Sequence, residues 1–300
     1  MRYSCYQLLF DSEFALPELH AAPPSSGDVE PDVTIRRGSL PVDGGACGEQ
    51  RGPFLWMGQD AMWLRVPGVA RYQVEAGKRI VVDADPGIDE DSVRLFMLGS
   101  AIGALLAQRG HMVLHGNALR VNGQALVCVG PSGAGKSTLA AALMQRGHEV
   151  LADDVVAIDL EGRALPGLPR IKLWKDAAEH LAVRTEGLAR IRPAFEKFNL
   201  ALDGAAATAP IPIRWLYVLG SHREDSVQIA PVRGIDSFKL LQENLYRARI
   251  LRALSPLPEH LALCGRLASE VRIARVKRPE KGFALEALVD ALLADAAAHG

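Results

Sequence analysis

The 300-residue sequence predicts an α/β fold with a small β-rich module at its N-terminus. Three observations carry this. Residues 1–88 hold short apolar or alternating runs separated by Gly, Pro and Asp clusters. An apolar run, a glycine-rich turn and an amphipathic stretch follow one another from Gln124 to Arg146. Beyond that point strand-like and helix-like stretches alternate to the C-terminus. The expected division is 1–88 for the module and 89–300 for the larger domain.

In the module, Tyr3–Phe10, Val33–Arg36, Pro53–Met57, Met62–Val66, Tyr72–Glu75 and Arg79–Val82 read as strands. The stretch from Ala21 to Asp32 has the composition of a loop. Asp91–Arg109 then reads as a helix, with Asp91 or Ser92 as its cap and Gly110 as its stop. Its apolar run, Leu95–Ala107, is too short to span a bilayer and predicts a buried core helix. Val113–Leu114 and Ala118–Val121 read as strand, as does Gln124–Val129. Asn122-Gly123 between the last two is a type I′ hairpin signal.

Ser137–Arg146 reads as a helix ending at Gly147. Val150–Leu151 and Val155–Ile158 flank a buried strand. Further helices are expected at Trp174–Leu181, Asp236–Leu254, Pro258–Ser269 and Phe283–Ala298. Further strands are expected at Ile213–Gly220, Val227–Pro231 and Val271–Val276. The small-residue stretch from Ala201 to Pro212 reads as a mobile loop.

Charge narrows the function classes. Thirty-four Lys and Arg against 35 Asp and Glu give a net charge of −1, which argues against a broad nucleic-acid binder. With 6% aromatic residues, serial base stacking is not expected either. Cys5, Cys47, Cys128 and Cys264 have no CxxC spacing and suggest neither a disulfide scaffold nor a zinc site. They read as reduced thiols of a cytoplasmic protein. Residues 1–10 lack a clean apolar core and cleavage site, so no signal peptide and no membrane partner is expected.

The strongest motif is Gly130-Pro-Ser-Gly-Ala-Gly-Lys136-Ser137, which fits G-x-x-x-x-G-K-[ST] at every fixed position. Glycines let backbone N–H groups converge on an anion, and the following helix points its positive end the same way. Gly130, Ser132, Gly133, Ala134, Gly135, Lys136, Ser137 and Thr138 are the candidate nucleotide contacts. Lys136 would add a point charge for the phosphates, and Ser137 a hydroxyl for Mg²⁺.

Asp153 and Asp154 lie 17 and 18 residues after Lys136, between two apolar runs. That distance accommodates one helix and a return to the sheet. Two carboxylates there allow two roles, one toward metal and one toward a proton. The hairpin puts His115 beside the strand that leads into the phosphate loop, where it could orient an aspartate or meet a phosphate. Arg170 and Lys172, alternating in a short strand, could neutralise transferred phosphoryl oxygens. Arg247, Arg249 and Arg252 on the expected 236–254 helix could grip an acidic peptide, or simply be solvated. Lys277-Arg278 reads as a charged surface turn, and Arg233 is a weaker candidate.

The stretch from Val113 to Ile158 resembles the catalytic core of HPr kinase/phosphorylase and its relatives. A His-Gly pair, the phosphate loop, Arg-Gly-His and Ala-Asp-Asp occur there in the family's order. The resemblance implies a phosphate-loop kinase core of the HPr kinase/phosphoenolpyruvate carboxykinase type. It implies that Asp153 takes the proton of a substrate serine, assisted by His115, while Asp154 and Ser137 support Mg²⁺. Thr138 stands where the family usually has Glu, and Leu165–Trp174 replaces a glycine-rich signature. These departures resemble a divergent branch, some of whose members phosphorylate the C-terminal serine of lasso-peptide precursors.

The expected protein is therefore a kinase using Mg²⁺ and ATP, or another nucleoside triphosphate, on a serine of a peptide or small protein. The family's oligomers imply a homo-oligomer. The alternatives are a small-metabolite kinase on the same core and a non-catalytic nucleotide-binding switch.

Overall fold

In the computed structural model the described residues are 1–27, 29–191, 196–202, 209–254, 257–282 and 284–300. Nine short strands come first: β1 (Arg2–Cys5), β2 (Leu8–Ser12), β3 (His20–Ala21), β4 (Val33–Arg37), β5 (Glu49–Gly52), β6 (Leu55–Met57), β7 (Ala61–Val66), β8 (Ala70–Glu75) and β9 (Arg79–Ala84). They form one sheet in the order β3-β1-β2-β4-β9-β8-β7-β6-β5. The expected strand Tyr3–Phe10 is two strands. Tyr6 and Gln7 have φ of 51° and 60°, a tight reversal that lets β1 fold back on β2. Pro53 and Phe54 lie in a turn, so the strand expected from Pro53 begins at Leu55. The expected loop 21–32 includes Ala21 in β3 and a 3₁₀ turn at Pro24–Ser26.

The first helical stretch is α1 (Glu90–Phe96), a π turn over Met97–Ala101 and α2 (Ile102–Gln108). Its cap is Asp89, not Asp91 or Ser92: the Asp89 carboxylate accepts the Ser92 N–H at 2.7 Å. Ile102–Ala107 are all buried, the core-helix environment their composition predicts. No helix among the described residues is long and apolar enough to cross a membrane.

The second sheet holds β10 (Met112–Val121), β11 (Gln124–Val129), β12 (Glu149–Ile158), β13 (Arg163–Ala164), β16 (Ile211–His222), β17 (Gln228–Val232) and β18 (Arg272–Pro279). Its order is β11-β10-β12-β13-β16-β18-β17. Because β11 also pairs in parallel with β16, the strands from β11 round to β16 close on themselves. The β10–β11 hairpin turns at Asn122 and Gly123, whose φ values of 49° and 77° are those a type I′ turn requires. The two expected strand pieces 113–114 and 118–121 are one strand, because His115–Asn117 stay in register with β12. A separate two-stranded ladder joins β14 (Arg170–Trp174) to β15 (Lys197–Ala201).

The remaining helices are α3 (Lys136–Gln145), α4 (Lys175–His180), α5 (Ile235–Glu243), α6 (Ala248–Leu254), α7 (Leu257–Glu270) and α8 (Leu285–Ala298). The helix expected over 236–254 is broken. Residues 244–247 leave the helix so that Leu245 can bridge to Leu114 of β10. Of the loop expected at 201–212, Ala201 belongs to β15 and Ile211–Pro212 to β16. Residues 203–208 of that loop lie outside the described residues, as does Phe283 at the start of the last expected helix.

One continuous apolar core joins the two large sheets. Phe10, Val33, Ile35 and Tyr72 from the first sheet pack in the same cluster as Leu105, Val113, Val156 and Ile158. A second core lies on the other face, where α3 and α8 cover β11 and β14. The phosphate loop leaves the sheet between these two cores.

Candidate active site

Strand β11 ends at Val129 and α3 begins at Lys136, so the glycine-rich motif forms the whole connection. Gly130, Gly133 and Gly135 have φ of 143°, 83° and 93°. Only glycine adopts all three without strain, which is why the motif reads as it does. Lys136 is buried and donates from Nζ to the carbonyls of Gly130 and Pro131, both at 2.9 Å. Desolvation by burial holds its ammonium below the ordinary lysine value, opposed by the nearby Asp153 and Asp154.

The paired register of β10 and β12 brings the rest together. Asn117 faces Asp153, Gly116 faces Asp154 and His115 faces Val155. Glycine is needed at 116, since a Cβ there would stand 2.3 Å from the Cys128 carbonyl of the neighbouring strand. The His-Gly pair is thus a histidine followed by the one residue that lets β10 and β11 approach so closely.

Ser137 Oγ donates to Asp153, with 3.0 Å to Oδ1 and 3.3 Å to Oδ2. The Lys172 backbone N–H also donates to Asp153, at 2.9 Å. The Lys172 ammonium meets Asp154 at 2.7 Å, and His115 Nδ1 lies 3.3 Å from the same carboxylate. Asp154 has φ of 74°, a left-handed backbone inside a strand. That twist accompanies a shared neighbourhood for two carboxylates that an extended strand would send to opposite faces.

The two carboxylates differ in proton affinity. Burial raises Asp153 above the usual carboxylate range, and the charge of Asp154 adds to the rise. Burial would raise Asp154 too, but the Lys172 ammonium and the His115 contact outweigh it and hold Asp154 far below that range. One site therefore holds a carboxylate whose proton affinity is raised beside one whose proton affinity is lowered, a pairing suited to acid–base work.

A cavity of about 580 Å³ gathers these groups. Residues 132–138 line it together with His115, Asp153, Asp154 and Lys172. Gly130 instead borders an adjoining cavity that also touches His115, Asp154 and Lys172. Arg170 lines neither. It lies in a third cavity, is buried, and pairs with Glu18 at 3.5 Å. Glu18 also meets Arg94 at 3.1 Å, so Arg170 ends in an ion cluster with residues of the N-terminal half. Arg233 is exposed and borders none of the three cavities.

Sequence reasoning missed several lining groups. Arg278 is no surface turn residue: it lies within β18, next to the strand's last residue, and lines the 580 Å³ cavity, where Lys197 and Trp174 also stand. The Lys197 ammonium sits 5.4 Å from the Trp174 ring. Nothing in the spacing of these residues flags them, since pairing of β14 with β15 places Trp174 and Lys197, and pairing of β18 with β16 places Arg278. Asn117, fully buried, donates to the Lys136 carbonyl and fixes the start of α3. A polar residue two places past His115 in an apolar strand was the available signal. Arg247 is not helical; it precedes α6 with φ of 43°.

Comparisons with known proteins find likeness over the span that holds these residues. Residues 106–200 match the family model of the HPr Serine kinase C-terminal domain. The HPr kinase/phosphorylase of Chlorobium limicola is 44% identical over 55 residues, 18% of this chain and 17% of that protein. The HPr kinase/phosphorylase of Treponema pallidum is 36% identical over 81 residues, 27% of this chain and 24% of that protein. The chain thus matches about a quarter or less of the length of these relatives. The structure titled HPr(Ser) kinase/phosphatase from Coxiella burnetii aligns with a TM-score of 0.31 at 12% identity, over 62% of this chain and 96% of that one. Across residues 106–200, with the phosphate loop, the His-Gly pair and the Asp pair inside that span, the chain is HPr-kinase-like.

Proposed function

We propose that the protein is a Mg²⁺- and ATP-dependent kinase that phosphorylates a serine hydroxyl of a peptide or small protein. The observation that carries this is the contact between Ser137 of the phosphate loop and Asp153, next to an Asp154 already neutralised by Lys172. The match to the HPr kinase domain and the names of the relatives support the same reading. Residues 89–300 would form the kinase domain, of the HPr kinase/phosphoenolpyruvate carboxykinase type, and residues 1–88 a β-rich module.

The residues fit the cofactor. Glycine-backed amides and a helix N-terminus suit a triphosphate, and a hydroxyl beside carboxylates supplies the hard oxygens that Mg²⁺ takes. When bound, Mg²⁺ would neutralise phosphate charge and hold the phosphates in line. Lys136 would leave its two loop carbonyls to meet the phosphates. The raised Asp153 would take the proton of the attacking serine hydroxyl. His115 would hold Asp154, and Lys172 would anchor both carboxylates, through its N–H and its ammonium. Arg170 would act from below, through its strand. The C-terminal serine of a lasso-peptide precursor is the finer reading of the acceptor, and a homo-oligomer the finer reading of the assembly.

A second assignment exchanges the carboxylates. Because Ser137 touches Asp153 and not Asp154, Asp153 would share the metal with Ser137, and Asp154 with His115 would handle the proton. Metal dependence separates the two. The Mg²⁺ concentration for half-maximal rate should rise in Asp154→Asn under the first assignment and in Asp153→Asn under the second.

The function is tested by incubating serine-bearing peptides with the protein, ATP and Mg²⁺ and measuring intact masses. A gain of one phosphate on a serine is the expected result. Turnover of small hydroxylated metabolites with every peptide unmodified would replace this reading with the metabolite kinase.

A further inference from the structure

The nucleotide-side cavity has a neighbour of about 720 Å³ on the far side of Asp154. His115, Asp154 and Lys172 border both, so the two spaces meet at Asp154, with Asp153 on the nucleotide side. Leu95, Phe96, Val218 and Leu240 give the second space an apolar lining, and Arg247 and Arg275 add cations.

Neither arginine has an acidic partner among the described residues. Arg275 is exposed on β18, and its side chain has no ion pair or hydrogen bond among the described residues. Arg247 packs its guanidinium 5.7 Å from the Tyr246 ring. Glu243 is the acid that shares their wall, and Asp154 is already matched by Lys172. The space therefore carries surplus positive charge beside the point where phosphoryl transfer would occur.

Arg247 is also held at a cost. It is a non-glycine residue with φ of 43°. The segment before it is pinned at three points. The His115 N–H donates to Asn244 O and the Tyr246 N–H to Val113 O, both at 2.9 Å. Tyr246 fits a notch in the helix, where a Cβ on Gly99 would stand 2.8 Å from its hydroxyl. The break in the 236–254 helix and the glycine in the buried α1–α2 run thus serve one arrangement. It fixes Arg247 on the lining of the second cavity and, through the bond to Asn244, holds His115 where the two cavities meet.

We propose that this second cavity receives the phosphoryl acceptor, and that Arg247 and Arg275 bind a carboxylate of an acidic peptide next to its reactive hydroxyl. The inference rests on the kinase reading. The hydroxyl oxygen would reach past Asp154 and form a bond to the γ-phosphorus of ATP. Its proton would pass to Asp153, and the bond to the β-phosphate oxygen would break, releasing ADP. Leu95 and Phe96 would cover an apolar side chain of the same peptide.

The probe is a set of labelled serine peptides with an apolar residue nearby. One has a free chain-end carboxylate, one is the same peptide amidated, and one is amidated with an internal Asp beside the serine. Binding is read by fluorescence anisotropy and transfer by mass, in wild type, Arg275→Glu, Arg247→Gly and an Arg233→Glu charge control. Arg247→Gly keeps the left-handed backbone, and thermal melts confirm folding. The expected result is at least about ten-fold weaker binding and higher KM for carboxylate peptides in Arg275→Glu and Arg247→Gly, with ATP affinity kept. The control should match wild type. Comparison of the chain-end and internal carboxylates tells which source the arginines take. Equal binding of acidic and wholly amidated neutral peptides, or acid-dependent binding unmoved by both variants, would overturn the proposal. Arginine-dependent binding of acidic peptides with no transfer to any of them would support the cavity's role and count against the kinase reading alone.

Discussion

The strand that holds Asp153 and Asp154 is supported from two sides by very different means. On the side of the second sheet, β12 is bound by a backbone ladder to β10 and carries charged groups that satisfy one another: Ser137 and Lys172 on Asp153, His115 and Lys172 on Asp154. On the side of the N-terminal sheet, support comes from single side chains that travel far along the chain. Tyr6, fully buried, donates its hydroxyl to the Val155 carbonyl at 2.9 Å, and its N–H bonds Pro166. Glu18 reaches Arg170, two residues from Lys172. The first region assembles chemistry from local motifs. The second fixes the strands that carry this chemistry with contacts no motif announces. The N-terminal sheet is thus a brace beneath the site as well as a cover for the core.

Activity and support should be separable by mutation. Asp153→Asn should lower kcat by about 10²–10⁴ if Asp153 is the base, with ATP binding kept; near-normal kcat would remove it from that role. Lys136→Ala should abolish transfer as well.

Cuts on the brace should act on stability. Tyr6→Ala removes a fully buried ring and should cost about 3–5 kcal/mol in urea unfolding. Glu18→Gln takes the shared counter-charge from Arg94 and buried Arg170 and should cost on the order of 3 kcal/mol. An unchanged unfolding midpoint in both would show that the sheet covers the core without bracing the strand.

The carboxylates give a sharper contrast. An unfolded Asp titrates near pH ~3.9. Asp153 is raised by burial, so the fold favours its protonated form; that stabilisation is complete below about pH 4 and is lost as pH rises through the folded value. Asp154 is lowered by Lys172 against burial, so it contributes stability above about pH 4 that is lost as pH falls toward its folded value. At pH 7, Asp153→Asn should raise the melting temperature and Asp154→Asn should lower it. The gap should narrow toward pH 3. Shifts of the same sign at pH 7 would contradict the assignment of opposite proton affinities.

The smallest expected effect lies at the hairpin. Gly123→Ala, at φ of 77°, should destabilise by about 1 kcal/mol without altering transfer, since the turn is far along β10 and β11 from the His115 end. A large loss of activity would mean the hairpin register itself is set by that turn.

Much of the site was readable because it is local. The strand–loop–helix around Gly130–Ser137 spans a few consecutive residues whose backbone geometry demands glycine. Asn122-Gly123 dictates its own turn, and from that turn the neighbourhood of His115 and the phosphate loop follows. The Asp pair stood out because it interrupts an apolar strand. Arg278 and Lys197 were not readable, because strand partners distant in sequence bring them to the cavity. Nor was the broken helix at 244–247, whose composition is helical throughout; a bridge to Leu114 outweighs that local preference.

By itself the sequence determined an anion-binding loop, the two carboxylates behind it and the alternation of strands and helices, because propensity, glycine geometry and hydrophobic period act within a few residues. Only the tertiary structure decided which carboxylate is raised and which is lowered, that Arg170 turns to Glu18 while Lys172 turns to Asp154, and that Tyr6 stands under Val155 from 149 positions away. Those outcomes depend on burial and on charge over a few ångströms, and neither quantity exists until the chain has closed on itself.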